Sequence, residues 1–145
     1  MTAIVNQIEV DAPAAEVFGY VTDPTHFPEW QANVLGGSMD HETSVGAICS
    51  TTRRIGGRER QVTSEVTKYN PPTAWAVHGL DGPIRATVDV AVEPLTASQS
   101  RLTITLDFEG HGIGKVLVPL LVRPQSRKEM QHNMARLKAR LEPVS

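Results

Sequence analysis

Cysteine is almost absent from this chain. Cys49 is the only one in 145 residues, which excludes an intramolecular disulfide and a thiolate metal cluster. Aromatic residues make up 5%, and there are two tryptophans, Trp30 and Trp75. No hydrophobic run approaches the roughly 20 residues that span a bilayer; the longest runs from Val116 to Val122, so membrane insertion is not expected. An excess of either charge is also missing. A net charge of -2 gives no global attraction to nucleic acid or to an anionic membrane. The opening Met1-Thr2-Ala3-Ile4-Val5-Asn6 has neither a basic segment nor a long apolar core, so no signal peptide is expected. These absences point to one soluble, cytoplasmic domain over 1–145, on length alone a single unit. Such a chain buries about 68–70% of its unfolded surface, enough for a core with one internal cavity.

What is present is a change of period along the chain. Ile4, Asn6, Ile8 and Val10 alternate with Val5, Gln7 and Glu9, the pattern of a strand. Pro13 stands near a helix start, and Ala14, Val17, Phe18 and Val21 recur at helical spacing. Asp23 and Pro24 read as N-cap and first residue of a second, short helix. Phe27 and Trp30 share its face, and Pro28 limits its length. From Gln31 the period is two. Gly36-Gly37 and Gly46 read as breaks, Ala47 to Arg54 as a strand, and Ile55-Gly56-Gly57-Arg58 as a hairpin turn. Arg60 to Tyr69 alternates up to Asn70-Pro71-Pro72. Ala74 to His78 is a short strand, and Asp81-Gly82-Pro83 turns the chain. Ile84, Ala86, Val88, Val90 and Val92 share one face, as do Leu102, Ile104, Leu106 and Phe108, with Pro94 to Gln99 as the loop between these strands. Ser126-Arg127-Lys128-Glu129 fits a capping box, and Met130, Met134, Leu137 and Leu141 form a helical stripe. Pro119 and Pro124 interrupt the helical pattern, so a kinked helix is expected over Ile113 to Glu142, straight after Ser126. The order is strand, two short helices, six strands and a long helix. A sheet with one apolar face needs a cover, and the terminal helix is the only element long enough to provide it.

Five motifs in this order resemble the Bet v 1-like helix-grip superfamily, also called START-like or SRPBCC, and within it the polyketide cyclase/dehydrase group. They are Asp11-Ala12-Pro13-Ala14-Ala15-Glu16-Val17-Phe18 running on to Asp23-Pro24 and Phe27-Pro28-Glu29-Trp30; Val66-Thr67-Lys68-Tyr69-Asn70-Pro71-Pro72; Ser100-Arg101-Leu102-Thr103; and Leu137-Lys138-Ala139-Arg140-Leu141-Glu142. Gln99-Ser100 departs from the Gly-Thr of many relatives. The resemblance implies an α+β helix-grip fold, β-α-α-β6-α, with a curved antiparallel sheet wrapped around a long C-terminal helix. It also implies an internal cavity for a small, mostly apolar molecule. It implies little about chemistry, because this fold hosts carriers, hormone binders and cyclases.

The candidate residues follow from the faces. Phe27, Trp30, Val62, Trp75, Val88, Ile104, Leu106, Leu121, Met130 and Met134 are expected to line the cavity, with Trp30 at its gate. Methionine suits an adaptable wall. Arg53, Arg54, Arg58, Arg60 and Arg85 crowd the middle sheet; most read as a solvated face. Arg60 shares parity with Val62, Ser64 and Val66, and Arg54 with Ile48, Ser50 and Thr52. If those faces are inward, Arg60 and Arg54 would bind a carboxylate or an enolate-like oxygen. Arg60, Ser64 and Thr52 are then the candidates for polarising a carbonyl. Arg123, Arg127 and Lys128 read as a solvated helix face. Asp107, Glu109, Asp89 and Glu65 fall on the wetter face, so no buried acid–base pair is visible. The five histidines show no metal-ligand spacing, and no serine sits in a nucleophile elbow. Gly110-His111-Gly112-Ile113-Gly114-Lys115 lacks P-loop spacing and reads as a strand-to-helix connection. Neither metal nor cofactor is expected. Two functions remain: non-catalytic binding of a lipid-, polyketide- or isoprenoid-like molecule, or a cyclase/aromatase acting on a carbonyl-rich substrate. The expected partner is a small hydrophobic molecule, with no nucleic acid, and the chain is expected as a monomer or homodimer.

Overall fold

The computed structural model describes residues 3–142 apart from Gly56 and Asp81, with the backbone alone for Ile55, Val116, Leu117, Leu120 and Leu121. Strand β1 is Ile4–Val10, and helix α1, Ala14–Val21, follows with Ala14, Val17, Phe18 and Val21 buried. Pro13 precedes the helix rather than opening it; its carbonyl accepts from Val17 N at 3.0 Å. A single 3₁₀ turn, Pro24–His26, is capped by Asp23, whose carboxylate accepts from Thr25 N at 3.0 Å. Helix α2 is Phe27–Trp30, and its two aromatic rings meet edge to face at 5.9 Å. Strands β2 (Val34–Met39), β3 (Ile48–Ile55), β4 (Arg58–Asn70), β5 (Ala74–Gly79), β6 (Ile84–Thr96) and β7 (Gln99–Gly110) complete one antiparallel sheet. Its order is β1-β7-β6-β5-β4-β3-β2, so β1 lies beside the last strand. Two short helical pieces, α3 (Gly114–Leu117) and a π-helical turn (Val118–Val122), lead into α4 (Arg123–Leu141). This is the curved antiparallel sheet gripping a C-terminal helix that the motif order implies.

The stripe on α4 is the stripe of the sequence. Met130, Met134, Leu137 and Leu141 are buried, joined by Asn133 and Arg123. They pack with Val10, Val17, Phe18, Val66, Val90 and Leu102 in one core. Polar contacts fix the entry to α1. The fully buried Ser100 donates from Oγ to the Ala12 carbonyl at 2.8 Å, and Gln99 Nε2 donates to Asp11 Oδ1 at 2.8 Å. The departure at Gln99-Ser100 therefore anchors the segment that leads to the gate.

Four readings of the sequence change. Gly36 and Gly37 lie inside β2 rather than ending it. A Cβ on Gly37 would stand 2.5 Å from the Pro24 carbonyl oxygen, so glycine there lets the strand pass under the short helices. Pro94 to Gln99 is not a loop. β6 runs to Thr96 through a register shift, and β7 starts at Gln99. A bulge absorbs Pro94, which has no N–H to give to the ladder. α4 starts at Arg123, ahead of the Ser126 capping box. Pro124 occupies the first turn, where its missing N–H costs nothing. The expected break falls on the π-helical turn containing Pro119.

Arg123 is the fourth. It is 6% exposed and not part of a solvated face. Its Nη2 donates to Asp107 Oδ1 and to the Phe108 carbonyl, tying α4 to the end of β7. That hydrogen bond holds the half-exposed Asp107 carboxyl below the usual carboxylate range. With a folded pKa below the unfolded value near ~3.9, the contact stabilises the protein at neutral pH. It is lost as the pH falls through the folded value. Asp107→Asn should lower the melting temperature at pH 7, and the gap to wild type should close below about pH 4. Thermal melts between pH 3 and 7 measure it.

Candidate functional site

The sheet and α4 do not close completely on each other. A cavity of about 270 Å³ lies between them. Its apolar wall comes from alternate residues of the long strands: Val62 on β4, Val77 on β5, Ile84, Ala86, Val88 and Val90 on β6, and Ile104, Leu106 and Phe108 on β7. The register makes the face continuous, since Val88 stands opposite Leu106 and Val90 opposite Ile104. Phe27 and Trp30 close it from α2, Trp75 from β5, and Val122 and Met130 from the helix side. The indole N–H groups of Trp30 and Trp75 are buried without an acceptor among the described residues.

One end is polar. Gln31, Asn33, Cys49, Thr51, Arg53, Ser64, Gln125, Ser126, Glu129 and Asn133 meet there. Arg54 and Gln125 are the exposed residues of the lining, which puts the mouth between the β3–β4 hairpin and the first turns of α4. Arg53 Nε donates to Thr51 Oγ1 at 3.1 Å and its Nη1 to Gln31 Oε1 at 3.3 Å. Burial lowers its pKa, with Cys49 and Glu129 pulling it back; a guanidinium whose ordinary value exceeds 12 stays charged at neutral pH. Burial pushes the Cys49 thiol up to about 11, so at neutral pH it is a neutral wall group and not a nucleophile. Glu129 Oε1 accepts from Gln125 Nε2 at 2.9 Å.

The gate is held from outside. Tyr20 Oη donates to Glu29 Oε1 at 2.7 Å, and His26 Nδ1 lies 3.2 Å from Glu29 Oε2. The Tyr20 and His26 rings stack at 4.8 Å. These contacts lower the Glu29 pKa, the Tyr20 hydrogen bond most. Burial, helped by the same carboxylate, raises Tyr20 to about 12. The clasp fixes the segment from which Phe27 and Trp30 point inward. A second, more open hollow of about 430 Å³ lies between α1, the 3₁₀ turn and the β2–β3 connection, lined by Phe18, Asp23, Met39, His41 and Tyr69 among others. It lacks the continuous aliphatic wall of the internal cavity.

Of the residues expected from sequence, Phe27, Trp30, Arg54, Val62, Ser64, Trp75, Val88, Ile104, Leu106 and Met130 line this cavity. Met134 instead packs in the core beside it. The Leu121 side chain lies outside the described residues. Thr52 and Arg60 are not in the lining. The face of β3 is the opposite of the one expected. Cys49 pairs with Ser64, Thr51 with Val62 and Arg53 with Arg60. Directly paired residues share a face, so Cys49, Thr51 and Arg53 point inward and Thr52 points away. Arg60 has the inward parity but is exposed beyond the cavity. Arg54 reaches the lining only at the rim, where its N–H donates to the Asn33 carbonyl at 2.8 Å. Arg53, Thr51, Glu129 and Asn133 were missed. The loop Gly110 to Lys115 packs on the β5–β6 turn: His111 N donates to the Pro83 carbonyl at 2.8 Å, and Gly114 abuts the same carbonyl. Close packing accounts for Gly110 and Gly114, and a positive φ of 59° for Gly112.

A family model described as polyketide cyclase / dehydrase and lipid transport matches residues 1–142, and the chain belongs to that family. Solved structures share the fold. The di-domain aromatase/cyclase BexL from the BE-7585A biosynthetic pathway matches with 20% identity and a TM-score of 0.71 over 96% of this chain. The chain spans 46% of that protein, about one of its two domains. A START superfamily protein from Mycobacterium smegmatis matches at 17% identity and a TM-score of 0.75, covering 96% of both chains. The Zhui aromatase/cyclase from Streptomyces sp. R1128 matches at 16% identity and a TM-score of 0.66, covering 95% of this chain and 87% of that one. No curated protein matches the sequence. Among the described residues no helix is long and apolar enough to cross a membrane, and no cluster of three or more His, Cys, Asp or Glu side chains is placed to hold a metal ion.

Proposed function

We propose that the protein binds a small, mostly apolar molecule in the internal cavity and releases it unchanged, as a cytoplasmic binder or carrier. One observation carries the reading. The wall is aliphatic, and its described titratable groups are Cys49, Arg53, Arg54 and Glu129, with no histidine and no second carboxylate. General acid–base chemistry needs a group that gives and takes a proton near the operating pH. A neutral thiol, two guanidinium groups and one carboxylate are a poor set for it. Native mass spectrometry after incubation with 1-decanol tests the reading. A one-to-one adduct that releases unaltered 1-decanol is expected, and no adduct overturns the reading.

A second reading has its own support. Thr51, Arg53 and Ser64 stand together at the polar end of the cavity, and two proteins of the same fold are aromatase/cyclases. In that case Arg53 and the hydroxyls would polarise a carbonyl of a bound poly-β-ketone. Wild-type protein would then cyclise a short poly-β-ketone thioester, and Arg53→Lys would cut turnover about 100-fold, the range for one lost oxyanion donor. Absence of turnover in the wild type removes this reading and leaves the first.

A further inference from the structure

The charges at the mouth of the cavity are not balanced. Arg53 is half-buried, and its two hydrogen-bond acceptors, Thr51 Oγ1 and Gln31 Oε1, are both neutral. Arg60 stands directly opposite it on the same face of the β3–β4 ladder. Like charges facing each other across a ladder destabilise it. Among the described residues no carboxylate comes within 4.0 Å of either guanidinium. Glu129 is the carboxylate of the lining; it accepts from Gln125 and attracts Arg53 only from beyond that distance. Glu59 stands opposite Arg54 in the ladder, and so belongs to the other face. A cation drawn partly out of water, as Arg53 is, favours an anionic partner, because neutral oxygens replace only part of its lost hydration.

The rest of the cavity explains why the pairing group is not a side chain. The aliphatic wall of β4 to β7 begins where the polar end stops. A cavity of about 270 Å³ holds roughly nine water volumes at ~30 Å³ each, room for a chain of about that many atoms. Arg53 in the wet end of an apolar slot, with Arg60 facing it from just outside the mouth, matches a planar oxyanion attached to an apolar tail. We infer that the cavity takes an anionic amphiphile, its tail against the β4–β7 wall and its carboxylate or similar oxyanion head between Arg53 and Arg60. The inference deepens the cavity-binding reading and rests on it. A neutral ligand leaves the facing arginines unrelieved, and a cationic one adds to the repulsion.

The test uses the full-length protein and its own tryptophans, since Trp30 and Trp75 both line the cavity. Their fluorescence is followed during titration with decanoate, 1-decanol and acetate. Decanoate should bind at least about tenfold more tightly than 1-decanol, the scale of one charge-assisted hydrogen bond, and acetate should not saturate. Arg53→Gln should bring the two ten-carbon probes to within about threefold of each other, and Arg60→Gln should narrow the ratio less, its head group being exposed. Arg53→Lys serves if the glutamine variant does not fold, and should keep part of the preference. Equal wild-type affinity for decanoate and 1-decanol overturns the anionic head and leaves the cavity reading intact. Binding of neither overturns both. Acetate binding as tightly as decanoate overturns the amphiphile in favour of a free-anion site.

Discussion

Ala86→Trp will remove binding of neutral apolar probes while the protein stays folded. Ala86 lies on β6 between Ile84 and Val88, and all three line the cavity. An indole there projects from a rigid central strand into space that the native side chains leave empty. Because it enters a void, overpacking should cost less than the ~1–3 kcal/mol typical of a filled core. A probe that loses contact with about 100 Å² of apolar wall forfeits ~2.5 kcal/mol at ~25 cal/mol per Å². That is about 60-fold in affinity. Calorimetric titration with 1-decanol measures the loss, and a thermal melt shows that the fold is kept. Unchanged affinity in a folded variant would place the binding site elsewhere.

Leu137→Ala has the largest expected effect on stability. Leu137 is fully buried on α4, within the core formed with Val10, Val17, Phe18 and Leu102. Deleting a leucine side chain from such a place costs ~2–5 kcal/mol, through lost transfer energy and the void left behind. Total stabilities are only ~5–15 kcal/mol, so the melting temperature should fall by roughly 10 °C. The neighbouring Arg136 is exposed, and Arg136→Ala should stay within about 0.5 kcal/mol. Equal effects at the two positions would mean that α4 does not present this face to the sheet.

The sequence carried the fold wherever its pattern was strong. Alternation in β6 and β7 gave their inward faces; Ile84 to Val90 and Ile104 to Phe108 on them form the wall, and Val92 and Leu102 join the core. The α4 stripe gave the helix face that covers it. The short helices were legible from Asp23, Pro24 and Pro28, whose backbone preferences leave few alternatives. Two features misled. Gly36-Gly37 reads as a break by its conformational freedom, yet Gly37 is there because Pro24 passes close by, a contact between segments that no local pattern records. Arg123 looked like one more exposed cation, but its position at the start of α4 sets it against Asp107 and Phe108.

The polar end was missed for a different reason, and the missing step was available. Ile48-Cys49-Ser50-Thr51-Thr52-Arg53-Arg54-Ile55 has no alternation, so its face cannot be read from the strand itself. The hairpin decides it. Ile55 pairs with Arg58 across the two-glycine turn, and counting back brings Thr51 opposite Val62 and Arg53 opposite Arg60. Since β4 shows its inward face through Val62, Ser64 and Val66, the inward members of β3 follow from the turn. Glu129 and Asn133 gave no such signal. Their place depends on the rotation of α4, which starts at Arg123 and not at the capping box.

The cavity as a ligand site is the central claim, and one titration tests it most directly. Wild-type protein is titrated with 1-decanol while the fluorescence of Trp30 and Trp75 is recorded, beside an Ala86→Trp control followed by calorimetry. The account predicts a saturable change with one-to-one stoichiometry that the control lacks. A linear, non-saturating response in the wild type, or equal binding by the control, would contradict it.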